Sequence, residues 1–266
     1  MKILHDLHIH TYLSLCGDAS ATPEAYVSVA RDLGMKTLGF VDHVWDTAAA
    51  PAPNAFYEKQ DMAHIQKLVL PKENGMKLLR GCEADLMQNG TLGLTEKEAK
   101  KLDFVLAVHS HSQWPEMIDD SVRSNVKSLA NALCDRFSLL VEHPLSNYIT
   151  AIAHPFFPYG NRDNMDEVLF QISDETLEDL FADAAYKNIA LEINASAFTS
   201  YSIDSMHRSE LYRVYEIAKD CGCKFVFGTD CHNPSKYAEL YHRLTVLSDL
   251  LEITDADICP RFAEKA

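Results

Sequence analysis

Two histidines, His8 and His10, stand one residue apart in the stretch Asp6-Leu7-His8-Ile9-His10-Thr11. Alternate side chains of an extended strand share a face, so this pair can grip one metal ion through imidazole nitrogens. Two solvated histidines would look the same, and the meaning of the pair depends on whether further ligand types recur downstream. Asp18 comes in the next loop, then Asp42-His43, then Glu83 in Gly81-Cys82-Glu83-Ala84-Asp85. His109 and His111 close Val108-His109-Ser110-His111, His154 lies in Ala153-His154-Pro155, and Asn194 ends Glu192-Ile193-Asn194. Asp230 and His232 sit in Gly228-Thr229-Asp230-Cys231-His232. Imidazoles and carboxylates in such numbers are the donor chemistry of Zn, Fe or Mn. Burying them without cations would be costly.

The elements that must position these residues are legible as alternating short apolar runs and amphipathic stretches. Strands are expected at 3–7, 37–41, 77–81, 104–108, 149–153, 190–193 and 224–227. Thr22-Pro23-Glu24 reads as an N-cap and first turn for a helix that Gly34 stops. Thr95 caps a short helix, Ser173 opens one running to about Lys187, and 206–221 and 235–251 read as two more. Repeated β-then-α units with buried, β-branched strands imply a parallel sheet. Seven units filling 1–266 point to a closed α/β barrel in one domain, with no linker or repeat. The Ala/Pro-rich stretch 48–54 is a loop able to lie over the site. The chemistry-bearing residues all fall just after strands, which in such a barrel is the rim where active sites are built.

Composition narrows the function. At 47% hydrophobic and 24% charged residues, the 266-residue chain can build a full core. A formal charge of −15 argues against an extended nucleic-acid surface, which needs clustered Lys and Arg. No apolar run approaches a signal-peptide core or a membrane span. The seven cysteines contain no Cys-x-x-Cys, and Cys221 and Cys223 are too close for an unstrained disulfide, so reduced thiols and a cytoplasmic location are expected.

The order H-x-H-T, D-H, G-x-E, V-H, A-H-P, E-I-N and G-T-D-x-H resembles the polymerase and histidinol phosphatase (PHP) family across essentially the whole chain. The resemblance implies a distorted seven-stranded (β/α) barrel, TIM-like in plan, that hydrolyses phosphoesters with two or three divalent metal ions. It implies that His8, His10, Glu83 and Asp230 hold one ion. Glu83 would bridge to a second ion taking His109 and His154, and Asp18, His43 and His232 would hold a third. Glu83, Asp230 and His232 are then the catalytic candidates: the first two orient or deprotonate a water activated by the metals, and His232 or His111 assists the leaving alkoxide.

Substrate contacts are less clearly marked. The resemblance suggests basic residues after the E-I-N strand, but residues 195–201 contain none. Arg162 and Arg208 are the nearest substitutes and read equally well as surface ion-pair residues. Asn194 is placed for a site hydrogen bond. His111 can touch a leaving group or cap a helix start. The expected activity is hydrolysis of a small phosphomonoester, with L-histidinol phosphate, an intermediate of histidine biosynthesis, as the most specific candidate. A nucleotide phosphatase or exonuclease of the same family, a metal-stabilised interaction module and an amidohydrolase barrel are the alternatives. The last needs a bridging lysine or carboxylate on strand four, where this chain offers His109. No membrane partner is expected, and the sequence does not fix an oligomeric state.

Overall fold

The seven apolar runs become the strands of one parallel sheet in the computed structural model, which describes residues 1–263. They are β1 (His5–Ile9), β2 (Thr37–Val44), β3 (Lys77–Asp85), β4 (Phe104–Val108), β5 (Ala151–Ile152), β6 (Ala190–Asn194) and β7 (Phe225–Gly228). Each strand pairs with the next in sequence. The sheet curls until β1 meets β7. There Ile9 bridges Cys231 in parallel, the Asp230 N–H donates to the His8 carbonyl (2.8 Å), and the His10 N–H donates to the Cys231 carbonyl (3.0 Å). Side chains complete the seam: the Phe227 N–H donates to His5 Nε2 (3.0 Å) and Thr229 Oγ1 donates to Asp6 Oδ2 (2.7 Å). The expected seven-stranded (β/α) barrel is the observed one.

Strand parity sorts the side chains. Leu7, Val41, Leu79, Leu106, Ala151 and Val226 bury one another around Phe104 inside the barrel. A Cβ on Gly81 would lie 2.5 Å from Phe104 Cζ, and one on Gly39 would lie 2.6 Å away. Both positions therefore need glycine to admit the ring that plugs the interior. The alternate residues, among them Ile9, Phe40, Val105 and Ala107, pack outward against the helices.

Those helices form for local reasons. Thr22 Oγ1 accepts from the Ala25 N–H, Pro23 occupies the first turn, and Gly34 at φ 75° ends helix Pro23–Leu33. Ser173 caps Asp174–Tyr186 in the same way. The last two helices start later than expected, at Glu210 and Tyr237, because residues 203–208 and 234–236 form 3-10 turns. Helix Val126–Val141 is not among the expected elements. Leu129, Leu133, Phe137 and Leu140 are its buried stripe.

Two strand boundaries matter for the site. β2 and β3 run past their expected ends at Val41 and Gly81, with His43 in register beside Glu83. Both site residues are thus held by a sheet ladder. β5 shrinks to two residues because His154 takes φ 30° and turns the chain out of the ladder.

Candidate metal centre

Barrel parity carries His43, Glu83, Asp85, Glu192 and Asp230 to the inside, each an even number of residues from an inner-face neighbour such as Val41, Leu79, Ala190 or Val226. On β1 the register slips between Asp6 and Ile9. Both Leu7 and His8 consequently reach the interior, and His10 follows His8. Asp230 adopts φ 53°, unusual for a residue with a side chain, and this bend aims its carboxylate at the two histidines while its N–H holds β1.

Four atoms converge at the centre. His8 Nε2 lies 3.1 Å from His10 Nε2, 3.6 Å from Glu83 Oε2 and 3.5 Å from Asp230 Oδ1. His10 Nε2 lies 3.4 Å from Glu83 Oε2 and 3.3 Å from Asp230 Oδ1. Ligands at about 2.0–2.1 Å from a tetrahedral ion are separated by about 3.4 Å, the spacing found here. Glu83 Oε2 is buried and has no hydrogen-bond partner, although His43 Nδ1, also buried and unpartnered, is 3.2 Å away. Polar atoms buried and left unpaired in this way are costly, and a shared cation would satisfy them. The donor set fits a divalent metal.

The other Glu83 oxygen faces a second group. Oε1 is 3.0 Å from His154 Nε2 and 3.7 Å from His111 Nε2. His111 is oriented by Asp85, whose Oδ1 lies 2.7 Å from Nδ1, and Asp85 also accepts from the Tyr57 hydroxyl. Behind His8, Glu192 Oε1 accepts from Nδ1–H (2.8 Å), and Glu192 Oε2 accepts from the His154 backbone N–H (2.6 Å). These contacts fix which imidazole nitrogen faces inward. Burial opposes charge on Glu83, yet His43 and His8 hold its carboxyl well below the usual range. Burial likewise opposes protonation of His8, but Glu192, Asp230 and Glu83 drive it well above the ordinary imidazole value. The carboxylates thus demand positive charge at the place where the ligand atoms converge.

Four expected site residues lie elsewhere. His109 continues the outward parity of Val105 and Ala107, and packs between Phe137 and Phe156. Its Nδ1–H donates to the Leu133 carbonyl (3.1 Å), and its Nε2 accepts the Phe156 N–H (3.0 Å). Neither nitrogen is left for a metal, and His111 takes the place beside Glu83 expected of His109. Asp18 points to solvent, where Oδ1 accepts from the Ser20 N–H and hydroxyl. Asn194 Oδ1 accepts the Ala197 N–H, fastening the turn after β6 rather than facing the cavity. Arg208 is exposed and away from the cavity. Arg162 stays near the mouth, its guanidinium 4.0 Å from the centre of the Tyr159 ring.

The cavity over the cluster has a volume of about 230 Å³. His10, His43, Glu83, His154 and Asp230 form its floor, with His111 and His232 beside them; Phe56, Trp114 and Tyr159 wall it. Phe56 follows the 48–54 loop, which is tied down where Trp45 Nε1–H donates to the Ala50 carbonyl. Cys16, Asp85, Glu192 and these aromatic residues are not among the site residues that the sequence motifs mark. Parity from Glu83 and Asn194 would find Asp85 and Glu192, whereas nothing local marks Cys16.

The PHP domain family model matches residues 6–196. A "probable phosphatase" of Clostridium novyi is 27% identical over 264 residues, covering 96% of this chain and 92% of the relative. A "probable phosphatase" of Shewanella piezotolerans is 27% identical over 234 residues, covering 87% of this chain and 79% of the relative. The crystal structure of histidinol phosphate phosphatase from Lactococcus lactis, complexed with Zn, L-histidinol and phosphate, superposes with a TM-score of 0.60 at 16% identity, covering 94% of both chains. With a barrel of matching plan and a family match over most of its length, this chain belongs to the PHP domain family.

Proposed function

We propose that this protein hydrolyses a small phosphomonoester, and that L-histidinol phosphate is its first candidate substrate. The observation that carries the reading is Glu83, whose two oxygens face two different imidazole sets. Divalent ions bound there would supply a nucleophile at neutral pH and neutralise the phosphate oxygens. His8, His10, Glu83 and Asp230 are the residues proposed to hold one ion, with His154 and His111 on the far side of Glu83. Glu192 keeps His8 in the tautomer that presents Nε2. The Nδ1–H of His232 donates to the Asp230 carbonyl (2.9 Å), which leaves Nε2 free to face the cavity.

The walls bear on the substrate. No Lys or Arg lines the cavity among the described residues, so the phosphate charge falls to the cluster. Phe56, Trp114 and Tyr159 offer flat apolar faces to a leaving group, which suits an imidazole ring and also a nucleobase. The named function of the curated relatives and the Lactococcus lactis ligands support the same reading. A phosphate-release assay on protein loaded with Mn²⁺ or Zn²⁺, across histidinol phosphate, nucleoside monophosphates and sugar phosphates, tests it. Turnover of histidinol phosphate above the others is expected; nucleotide preference would reassign the substrate, and no release from any ester would refute the activity.

A further inference from the structure

The loop after β1 is wound tightly on itself. The Ser14 N–H donates to the Thr11 carbonyl and the Gly17 N–H to the Ser14 carbonyl. A Cβ on Gly17 would lie 2.0 Å from the Thr11 carbonyl oxygen, so only glycine lets the chain double back there. Gln60 pins the outside of the loop, its Oε1 accepting from the Ser14 hydroxyl and the Leu15 N–H. This winding sends Asp18 outward to Ser20 and turns the Cys16 sulfur into the cavity. No other cysteine lines that cavity among the described residues.

We propose that Cys16 supplies a thiolate ligand to the metal cluster, in the place that the family resemblance gives to Asp18. Its Sγ is 3.9 Å from His10 Nδ1, and Cys16, His10 and His232 bring ligand atoms within 4.8 Å of one another. His10 already turns Nε2 toward Glu83 and Asp230, so the nitrogens left for an ion beside the sulfur belong to His232 and His43. His43 is the independent sign of a ligand here. It is 6% exposed, lines the same cavity, and its Nδ1, although 3.2 Å from Glu83 Oε2, has no hydrogen-bond partner. A cysteine on a loop is not in itself a ligand, but one facing a buried, unpartnered imidazole across a carboxylate-rich cavity is placed to be. Thiolate is a soft donor, and its presence biases this position toward Zn or Fe over Mn.

The inference rests on the reading of the rim as a cation site, and the test separates the two. Full-length protein is loaded with Co²⁺, and bound cobalt is counted beside the near-ultraviolet spectrum. Wild type should show a sulfur-to-cobalt charge-transfer band. Cys16→Ser should abolish the band and lower bound cobalt by one ion per chain, and Cys16→Asp should restore the ion without the band. Circular dichroism of each variant confirms the fold. Cobalt bound without the band, or a band that survives Cys16→Ser, overturns the ligand assignment and leaves the cation site standing; in that case the sulfur merely accepts from His10 Nδ1–H. Failure of wild type to bind any cobalt overturns both.

Discussion

The Nδ1–H of His8 donates to Glu192 Oε1 across 2.8 Å, with both side chains wholly excluded from solvent. A carboxylate behind an imidazole fixes the tautomer and raises the basicity of the other nitrogen, and losing such a partner costs about 10–100-fold in metal affinity. Glu192→Gln keeps an oxygen acceptor for His8 but removes the charge, and the amide nitrogen that replaces Oε2 cannot accept the His154 N–H. Metal affinity, read by competition with a chromogenic chelator, should fall by about that factor, with activity recovering at saturating metal. Unchanged affinity would show that Glu192 is only a packing group.

Gly228 tests the same relationship from β7, the strand between β6 and β1. A Cβ there would lie 1.7 Å from Glu192 Oε1 and 2.7 Å from His8 Cβ. Gly228→Ala must push the carboxylate off His8 or move β7. Overpacking of this sort costs about 1–3 kcal/mol. The variant should therefore combine a lower unfolding midpoint with the weakened metal binding of Glu192→Gln. A midpoint loss with intact affinity would separate packing from ligand orientation.

Glu83 is the common member of two sets, so its loss should be disproportionate. Glu83→Ala removes Oε2 from His8 and His10 and Oε1 from His154. Bound metal should drop by more than one ion per chain, measured by inductively coupled plasma emission, and turnover should disappear with it. His154→Ala, which touches one oxygen, should lose no more than one. Equal stoichiometries in the two variants would argue against a bridging carboxylate.

His109 and His111 stand two residues apart and should behave oppositely. His109 bonds backbone groups through both nitrogens, and burial with Arg136 nearby holds its pKa well below normal. His109→Ala leaves the Phe156 N–H without a partner, at about 1–3 kcal/mol for a buried group, and removes the second bond to the Leu133 carbonyl, which keeps its place in helix Val126–Val141. It should lose stability while the residual folded fraction retains its metal. His111→Ala should instead lose bound metal and turnover, at some cost in stability because Asp85 Oδ1 loses its partner. Thermal melts and metal counts on the two proteins decide the matter, and the reverse pattern would restore His109 as the ligand.

That pair shows where the chain is readable. The barrel follows from apolar runs whose burial is local and additive, and most ligands follow from their places after strands. His109 is misplaced when its motif position is read without parity: Val105, Ala107 and His109 share the outer face, as the alternation of β4 dictates. His111 shares that parity but lies beyond the strand, where loop geometry and the Asp85 contact decide its direction. Asp18 and Cys16 exchange places for a similar reason. The winding of loop 11–18 depends on Gln60, which is remote in sequence, so no local pattern reveals which of the two faces inward.

His5 closes the barrel seam as a neutral acceptor, taking the Phe227 N–H on Nε2. Burial pushes its pKa from 6.5 down to about 3. A depressed imidazole stabilises the fold fully above its unfolded pKa, and that contribution drains away as pH falls from 6.5 toward about 3. At pH 5 about 2 kcal/mol should be gone, since each pKa unit is worth about 1.4 kcal/mol. Neighbouring Asp6 has the opposite sign: burial, against its bonds to Thr229 and His8, raises it from 3.8 to about 6, so protonation through that window favours the folded state. Wild-type stability alone therefore mixes the two, and the comparison that isolates His5 is His5→Gln, whose amide oxygen can still accept from Phe227. Urea unfolding with chelator present, at pH 7 and pH 5, should show the variant less stable at pH 7 and the gap narrowed by about 2 kcal/mol at pH 5. A gap independent of pH would mean that His5 is not held neutral at the seam.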